Sequence, residues 1–549
     1  MKEFVKKYPI LSICLMSCLV LMPFLGSVRL FDWDEINFAE AAREMFITGN
    51  YLQVQIDFKP FWEKPPLFMW MQAFSMKLFG ISEYAARFPN AICGIITLPL
   101  LYSIGSSLKD KQFGLLWLLT FIGSFLPHFY FKSGIIDPWF NLFIFLGIIL
   151  PFLPFFKKNQ TLAYVLGGIS IGCAILTKGP VALLIYILVY LFYIILQSFR
   201  SKQSMVIVIY PLLTIAISLL VASMWFGIEL YQHGTWFLQE FILYQVRLFR
   251  TGDAGHSGPI YYHLIILLIG CFPASIFAFR KIVESRVSSH IELLMKVLFW
   301  VVLILFSIVS TKIIHYSSLC YFPLTYLAAE YISTSLKTSN NFSIIKVFLA
   351  IGILFWTILL AAVPILGIYK HSIIHLIKDP FVKANLEAQV QWFGYELLIP
   401  LIFLIGGCIS IMMMNRGHML MGIYTVFLST IPTLWLFLPI IAPKIEAYTQ
   451  GSAIEFYQSL QGKDMYVYPY HFKSYAHLFY SKKQPSANYS LNQHHKSIDE
   501  HTLYNGSIDK DVYVVAKIKH QKEMQDHLLF TKLYSKNGFV FYKRIHQIP

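Results

Sequence analysis

Long apolar runs separated by short polar clusters dominate the chain up to residue 445. A helix needs about 20 such residues to cross a hydrocarbon core. By that measure spans are predicted near 9–28, 84–107, 113–131, 138–156, 161–177, 180–198, 205–226, 260–279, 291–310, 316–334, 344–366, 396–415 and 418–442. The expected fold is therefore mainly α, a polytopic membrane bundle of about 13 transmembrane helices. Two stretches break the pattern. Residues 29–83 carry DWDEINFAEAAREMFITGNYLQVQIDFKPFWEKPP, a carboxylate-rich segment running from Asp32 to Pro66. Beyond residue 445, Lys, His, Asn, Gln and Ser replace Leu and Ile. There DMYVYPY (464–470), DVYVVAKIKH (511–520) and FVFYKR (539–544) read as strands, SKNG (535–538) as a turn and SYAHLFYS (474–481) as a helix. The expected division is a membrane domain over 1–445, including the loop 29–83, and a small soluble α+β domain over 446–549.

Charge supplies an orientation. Lys2, Lys6 and Lys7 precede the first span, and Lys109, Lys111, Lys157, Lys158, Arg200, Lys202, Arg280, Lys281, Arg286 and Arg416 fall in loops on the same side. By the positive-inside rule that side is cytoplasmic, which places the N-terminus inside and the loop 29–83, the segment 227–259 and the C-terminal domain outside. The first span is long, lacks a small-x-small cleavage site and is followed by Arg29, so it reads as a retained anchor. A composition of 57% hydrophobic and 13% charged residues excludes a soluble protein of this length. The net charge of +15 sits largely in these loops and the tail, where it serves topology and contact with the lipid bilayer; no nucleic acid partner is expected. All seven cysteines fall in spans, with no disulfide framework and no CxxC site.

Within the loop, EINFAEAAREMFIT interleaves Ile36, Ala39, Met45 and Phe46 with Glu40, Arg43 and Glu44, as in a juxtamembrane helix lying along the surface. Asp34 stands where an N-cap would be. A second amphipathic helix is expected to begin at Pro65 or Pro66 and run through PLFMWMQAFSMKLFG, with Glu63 and Lys64 at its entrance.

The order DE…AE…REM…G…EKPP…LFG…AARFP is carried by Asp34, Glu35, Ala39, Glu40, Arg43 to Met45, Gly49, Glu63 to Pro66, Leu78 to Gly80 and Ala85 to Pro89. It resembles the first external loop of GT-C glycosyltransferases related to bacterial aminoarabinose (lipid A) transferases and protein O-mannosyltransferases. TKGPVAL (177–183), GHSGPIYYHL (255–264) and STKIIHY (310–316) resemble further stretches of that family. The resemblance implies transfer of a sugar from a polyisoprenyl (undecaprenyl) phosphate donor to an envelope acceptor such as lipid A, at the outer face of the bacterial inner membrane. The other readings are transfer to a protein hydroxyl, a lipid or sugar transporter, and a scaffold without activity of its own.

The same resemblance assigns roles. Asp34 is the leading catalytic carboxylate, with Lys64 its partner. Asp137 is either a second pocket acid or a cap of its helix, with Pro138 at the first position. Lys178, Arg247 or Arg250, and Lys312 are candidates to bind the substrate phosphate, with His315 completing the cationic ring; without the resemblance Lys178 reads as a snorkelling lysine, and Lys312 and His315 read equally as interfacial anchors. Glu63 and His256 are candidate ligands for a divalent metal, zinc or similar; without the resemblance they read as a salt-bridge residue and a turn residue. The family carries an arginine shortly after the DE pair, where this chain has Ile36 and Asn37. His494, His495 and His501 show no metal-binding spacing.

Overall fold

The computed structural model describes residues 7–199, 206–251, 257–338, 342–485, 500–506 and 508–544. Helix stands at each predicted span, but the number that can cross a membrane is smaller than about 13. Among the described residues eight helices are long and apolar enough, the first being Glu83–Leu108 and the last Met419–Ile440. A ninth results if Lys111–Ile122 and Phe125–Lys132, bent by 82° at their junction, count as one.

The remaining predicted spans are short or broken. Pro9–Leu21 and Asp137–Ile149 have 13 residues each, and Tyr321–Lys337 has 17 after a 3-10 turn at Ile314–Cys320. Residues 260–279 divide into Tyr262–Gly270 and Ala274–Val283 on either side of Pro273, which has no N–H to continue the first helix. Hydropathy windows sum apolar residues and are blind to such breaks. Several of these shorter pieces lie inside the bundle, with Phe140, Phe145 and Phe322 buried in its core, where neighbouring helices can accommodate the interrupted backbone. Small residues allow close helix contact: a Cβ at Gly168 would come within 2.6 Å of Ile217, and one at Gly172 within 2.5 Å of Val221. Gln160–Lys178 and Val206–His233 therefore pack nearly backbone to backbone.

At the end of the bundle that carries the loop lies a second layer. It contains the helices Asp34–Thr48 and Leu67–Phe79, the hairpin β1 (Gln55–Ile56) and β2 (Lys59–Pro60), the helices Ala442–Thr449 and Gly451–Ser459, and a four-stranded sheet. The strands are β3 (Tyr466–Tyr470), β4 (Val512–Lys517), β5 (Thr531–Lys536) and β6 (Phe539–Arg544), in the order β3-β4-β6-β5. β3 pairs parallel to β4, and the other pairs are antiparallel. The predicted helix at 474–481 is present as Ala476–Ser481. β5 escaped prediction because every one of its residues is exposed, leaving no apolar alternation to read.

Alternation along β4 turns Val512, Val514 and Ala516 to one face and Tyr513 and Val515 to the other. The second face packs with Phe456, Tyr457 and Phe541 against Ile36, Met45, Phe68 and Met69. The C-terminal sheet and the loop helices thus share one apolar core. This changes the expected surface helix: Asp34–Thr48 is covered on all sides, and Glu40, Arg43 and Glu44 are fully buried. Burial of these polar groups is tolerable because each is hydrogen-bonded. Arg43 donates to both carboxylate oxygens of Glu40 (2.7 and 2.6 Å) and to the Lys483 carbonyl (2.9 Å). Glu44 accepts from the N–H groups of Asp57 (2.7 Å) and Phe58 (2.8 Å), the two positive-φ residues of the hairpin turn.

Candidate active site

Asp34 is the first residue of its helix, but it does not cap it; the preceding residue, Trp33, occupies the cap position without a side-chain bond. The carboxylate turns to the 3-10 segment instead, where Oδ2 lies 2.9 Å from His315 Nε2. The same imidazole nitrogen is 3.6 Å from Asp137 Oδ2, and Asp137 Oδ1 accepts from Lys178 Nζ at 2.6 Å. Four charged or titratable groups from four segments therefore form a chain: Asp34, His315, Asp137, Lys178. Asp137 makes no capping hydrogen bond; its contacts are with Lys178 and His315. It stands in the first turn of its helix and spends its carboxylate on Lys178.

Lys178 ends the helix Gln160–Lys178, and its ammonium also lies over the rings of Tyr316 (4.6 Å) and Phe140 (5.5 Å). Gly179 turns the chain there with φ +103°, where a Cβ would meet Phe241 at 2.9 Å. On the opposite wall Lys64 Nζ lies 3.4 Å from the Tyr244 hydroxyl and 4.8 Å from the centre of its ring. Tyr244 and Arg247 share one face of the helix Thr235–Arg250, and the Arg247 guanidinium stands 5.1 Å from the same ring. That helix lay hidden in the polar segment 227–259.

Burial pushes the Asp34 carboxyl up, but the hydrogen bond and charge of His315, together with the charges of Lys64 and Lys178, outweigh it and hold the group below its ordinary value. Burial lowers the Lys64 ammonium, Lys178 lowers it further, and Glu63, Asp34 and Asp137 only partly restore it.

Two spaces meet at Asp34. A narrow cleft of about 30 Å³ is lined by Asp34, Glu63, Lys64, Lys178, Tyr244 and Tyr316. A cavity of about 690 Å³ lies on the other side, between Asp34, His315 and the C-terminal region. Trp33, Asp34 and Ile313 border both.

Not every candidate comes here. Lys312 is not presented to the cleft: its ammonium donates to the carbonyls of Phe306 (3.1 Å), Ser307 (2.6 Å) and Val309 (2.5 Å), using all three protons to close the end of the helix His290–Ile308. Its expected role in phosphate binding is replaced by that of a helix cap. Arg250 ends the helix that carries Arg247, and His256 lies outside the described residues. Glu63 faces Arg247 at 4.0 Å, the salt bridge expected of it without the resemblance. Among the described residues no three His, Cys, Asp or Glu side chains are grouped to hold a metal, so the described donors do not by themselves fit a zinc-type site. Tyr244 and Tyr316 went unnoticed in the sequence, although Tyr244 lies one helical turn before Arg247 and Tyr316 directly follows His315.

The fold is a GT-C-type membrane helix bundle with a small C-terminal sheet region. A family model for dolichyl-phosphate-mannose-protein mannosyltransferase matches residues 63–226. The chain is 26% identical over 253 residues to an undecaprenyl phosphate-alpha-4-amino-4-deoxy-L-arabinose arabinosyl transferase 2 of Proteus mirabilis, covering 45% of each protein. It is 25% identical over 377 residues to the corresponding transferase of Pectobacterium carotovorum, covering 67% of this chain and 66% of that one. The matched stretch thus spans about half to two thirds of these relatives. Among solved structures, ArnT from Cupriavidus metallidurans in the apo state superposes with a TM-score of 0.77 at 15% identity, over 99% of this chain and 100% of the other. The same protein bound to undecaprenyl phosphate gives 0.73 at 15% identity, over 98% and 99%. At that identity the likeness is one of fold.

Proposed function

We propose that this protein is a membrane glycosyltransferase that moves a sugar from an undecaprenyl-phosphate-type carrier to an envelope acceptor such as lipid A, at the outer face of the bacterial inner membrane, with its N-terminus in the cytoplasm. The observation that carries this reading is the position of Asp34, between a cleft walled by cations and a cavity large enough for a second substrate. The names of the relatives, the carrier lipid bound in the ArnT structure and the loop charges that set the orientation support it.

In this reading the donor phosphate enters the cleft and meets Lys64, Lys178 and Arg247. Breaking the bond between the anomeric carbon and the phosphate oxygen leaves positive character on the carbon and negative charge on the departing phosphate. A Lys64 ammonium shielded from water, braced by Tyr244, stabilises that charge more than a solvated one would. The acceptor oxygen approaches from the cavity past Asp34. A carboxylate held below its ordinary pKa is a weak base, poorly matched to deprotonating an alcohol. An acceptor that is already ionised, such as a phosphate, needs no base, and this favours a phosphorylated glycolipid over a protein hydroxyl.

The test uses the purified full chain in proteoliposomes, with undecaprenyl-phosphate-linked 4-amino-4-deoxy-arabinose as donor and lipid A as acceptor, read by mass spectrometry. Lipid A heavier by one sugar is the expected product, lost in Lys64→Ala. Sugar on a protein hydroxyl instead would turn the assignment to the other acceptor class, and no transfer with movement of lipid across the vesicle would make it a transporter.

A further inference from the structure

The cavity beside Asp34 carries two cations that the reaction just described does not use. Lys473 follows β3 and Lys517 ends β4. Because β3 and β4 run parallel, with Tyr470 opposite Ala516, the residues that follow them emerge at the same edge of the sheet, and that edge faces the cavity. Lys473 Nζ lies 4.6 Å from the centre of the Trp33 ring, the residue next to Asp34. Lys517 Nζ lies 5.0 Å from Phe381 and 5.3 Å from Phe472.

Neither ammonium has a carboxylate within ion-pair distance or a hydrogen-bond acceptor among the described residues. Other lysines of the same region do: Lys483 pairs with Asp57 (2.5 Å), Lys536 with Glu455 (2.7 Å) and Lys543 with Asp511 (2.8 Å). The carboxylates on the cavity wall leave the two lysines free for a ligand. Asp34 is engaged by His315 and Glu35 by Arg87, while Asp32 touches Lys517 only through its field. Aromatic faces hold the ammonium groups in place but supply no compensating charge. An ammonium seated on rings at the wall of a cavity, with its hydrogen-bonding capacity unspent, is arranged to receive an anion.

On the reading that a sugar is transferred past Asp34, we propose that Lys473 and Lys517 form the anion-recognition pair of the acceptor site, holding a phosphate ester of an amphipathic glycolipid while its nucleophilic oxygen reaches Asp34. The aromatic wall of Phe381, Phe472 and Phe539 would cover the apolar part of the same molecule. The C-terminal region then acts in acceptor selection as well as covering the loop.

The experiment measures binding of bisphosphorylated lipid A and of its fully dephosphorylated form to the full chain in detergent, by native mass spectrometry, for wild type, Lys473→Gln, Lys517→Gln and the double variant. Undecaprenyl phosphate binding and thermal stability serve as controls that the chain is folded. The double variant is expected to bind lipid A about 10- to 100-fold more weakly, and each single variant about 3- to 10-fold. Lys473→Arg with Lys517→Arg is expected to restore binding, and wild type to favour the phosphorylated form, less so at high salt. In turnover, the change should fall on the KM for acceptor rather than on kcat. Equal affinity of wild type and double variant for lipid A, no preference for the phosphorylated form, or no lipid A binding at all would overturn the pair. Phosphate-dependent binding through the lysines without any sugar transfer would uphold the pair and overturn the glycosyltransferase reading.

Discussion

His315 Nε2 stands 2.9 Å from Asp34 Oδ2, joining the first residue of a loop helix to a turn deep in the second half of the chain. The contact explains why Asp34 stays ionised although it is surrounded by protein: the imidazole supplies both the hydrogen bond and the nearest charge. Asp34→Asn keeps the shape and removes the charge. It is expected to lower kcat by about 10²-fold, the order of loss when a reacting group is misplaced, with undecaprenyl phosphate binding unchanged. Steady-state transfer and lipid binding on the same preparation decide this, and full activity in the variant would remove Asp34 from the mechanism.

Lys64 lines the cleft, while Arg247 stands behind it against Tyr244 and Glu63; the two differ in exposure, and magnitudes separate them. The Arg247 side chain is 54% exposed, where an ion pair is worth little, so Arg247→Ala should weaken carrier-phosphate binding by no more than about fivefold. Lys64→Ala removes a desolvated charge-assisted contact and should cost about 10- to 100-fold. Lipid titration of both variants gives the ratio, and a larger loss for Arg247 would reverse the assignment.

The pH profile follows from the same two groups. Asp34 is held below the ordinary carboxylate range, so kcat/KM should not fall as the pH is lowered to the top of that range. Lys64 is held below the ordinary ammonium range, so activity should fall with rising pH earlier than an unperturbed lysine would allow. In Lys64→Arg, whose guanidinium stays protonated, the alkaline limb due to this position should disappear even if the rate is lower.

Asp32 has the opposite displacement. Burial raises its carboxyl to about 6, with Ser474 and Lys517 only partly opposing. A raised acid binds its proton more tightly in the folded state, so its contribution to stability is present at low pH and is lost as the pH rises from about 4 through about 6. Asp32→Asn should therefore gain in melting temperature relative to wild type across that window, with the difference flat above it. Parallel melting curves at all pH values would contradict this.

Lys312 and Arg87 separate structural cations from functional ones. Lys312→Met leaves three helix-end carbonyls without donors and should cost about 1–2 kcal/mol of stability while leaving carrier-phosphate affinity within about twofold. Arg87 donates to both oxygens of Glu35 (2.9 and 2.8 Å) and to the carbonyls of Leu25 and Val28. Arg87→Met strands the Glu35 carboxylate in the interior, at a cost of about 3–5 kcal/mol. Thermal unfolding in detergent ranks the two variants, and a large loss of carrier affinity in Lys312→Met would return that lysine to the cleft.

Much of the site was legible because its residues fall in short polar islands inside an apolar chain. Asp34, Lys64, Asp137, Lys178, Arg247 and His315 could all be picked out that way, and the structure does bring them to one place. What could not be read was how each charge is spent. Lys312 and Lys178 look alike in sequence, each a lone lysine near a span end, yet one turns back on its own helix and the other crosses to Asp137. Glu40, Arg43 and Glu44 looked like a solvated face because the cover comes from residues about 400 positions away along the chain, including the Lys483 carbonyl. The excess of predicted spans has a related origin, since hydropathy reports that a segment is apolar but not whether it meets lipid or other helices.

By itself the sequence determined the material: a helical membrane chain, the polar loop after its first apolar segment and a less apolar region, carrying strands, after the last span. Those properties depend on local composition and on the hydrophobic period, which neighbours in sequence are enough to set. Only the tertiary structure decided that Asp34 meets His315 rather than capping its helix, that the C-terminal sheet shares a core with the loop, and that Lys473 and Lys517 face the same cavity as Asp34. Each of these depends on which distant segments come within a few ångströms of one another. Electrostatic and hydrogen-bonding energies change most steeply at that range, so the role of each charge is settled by its neighbours in space.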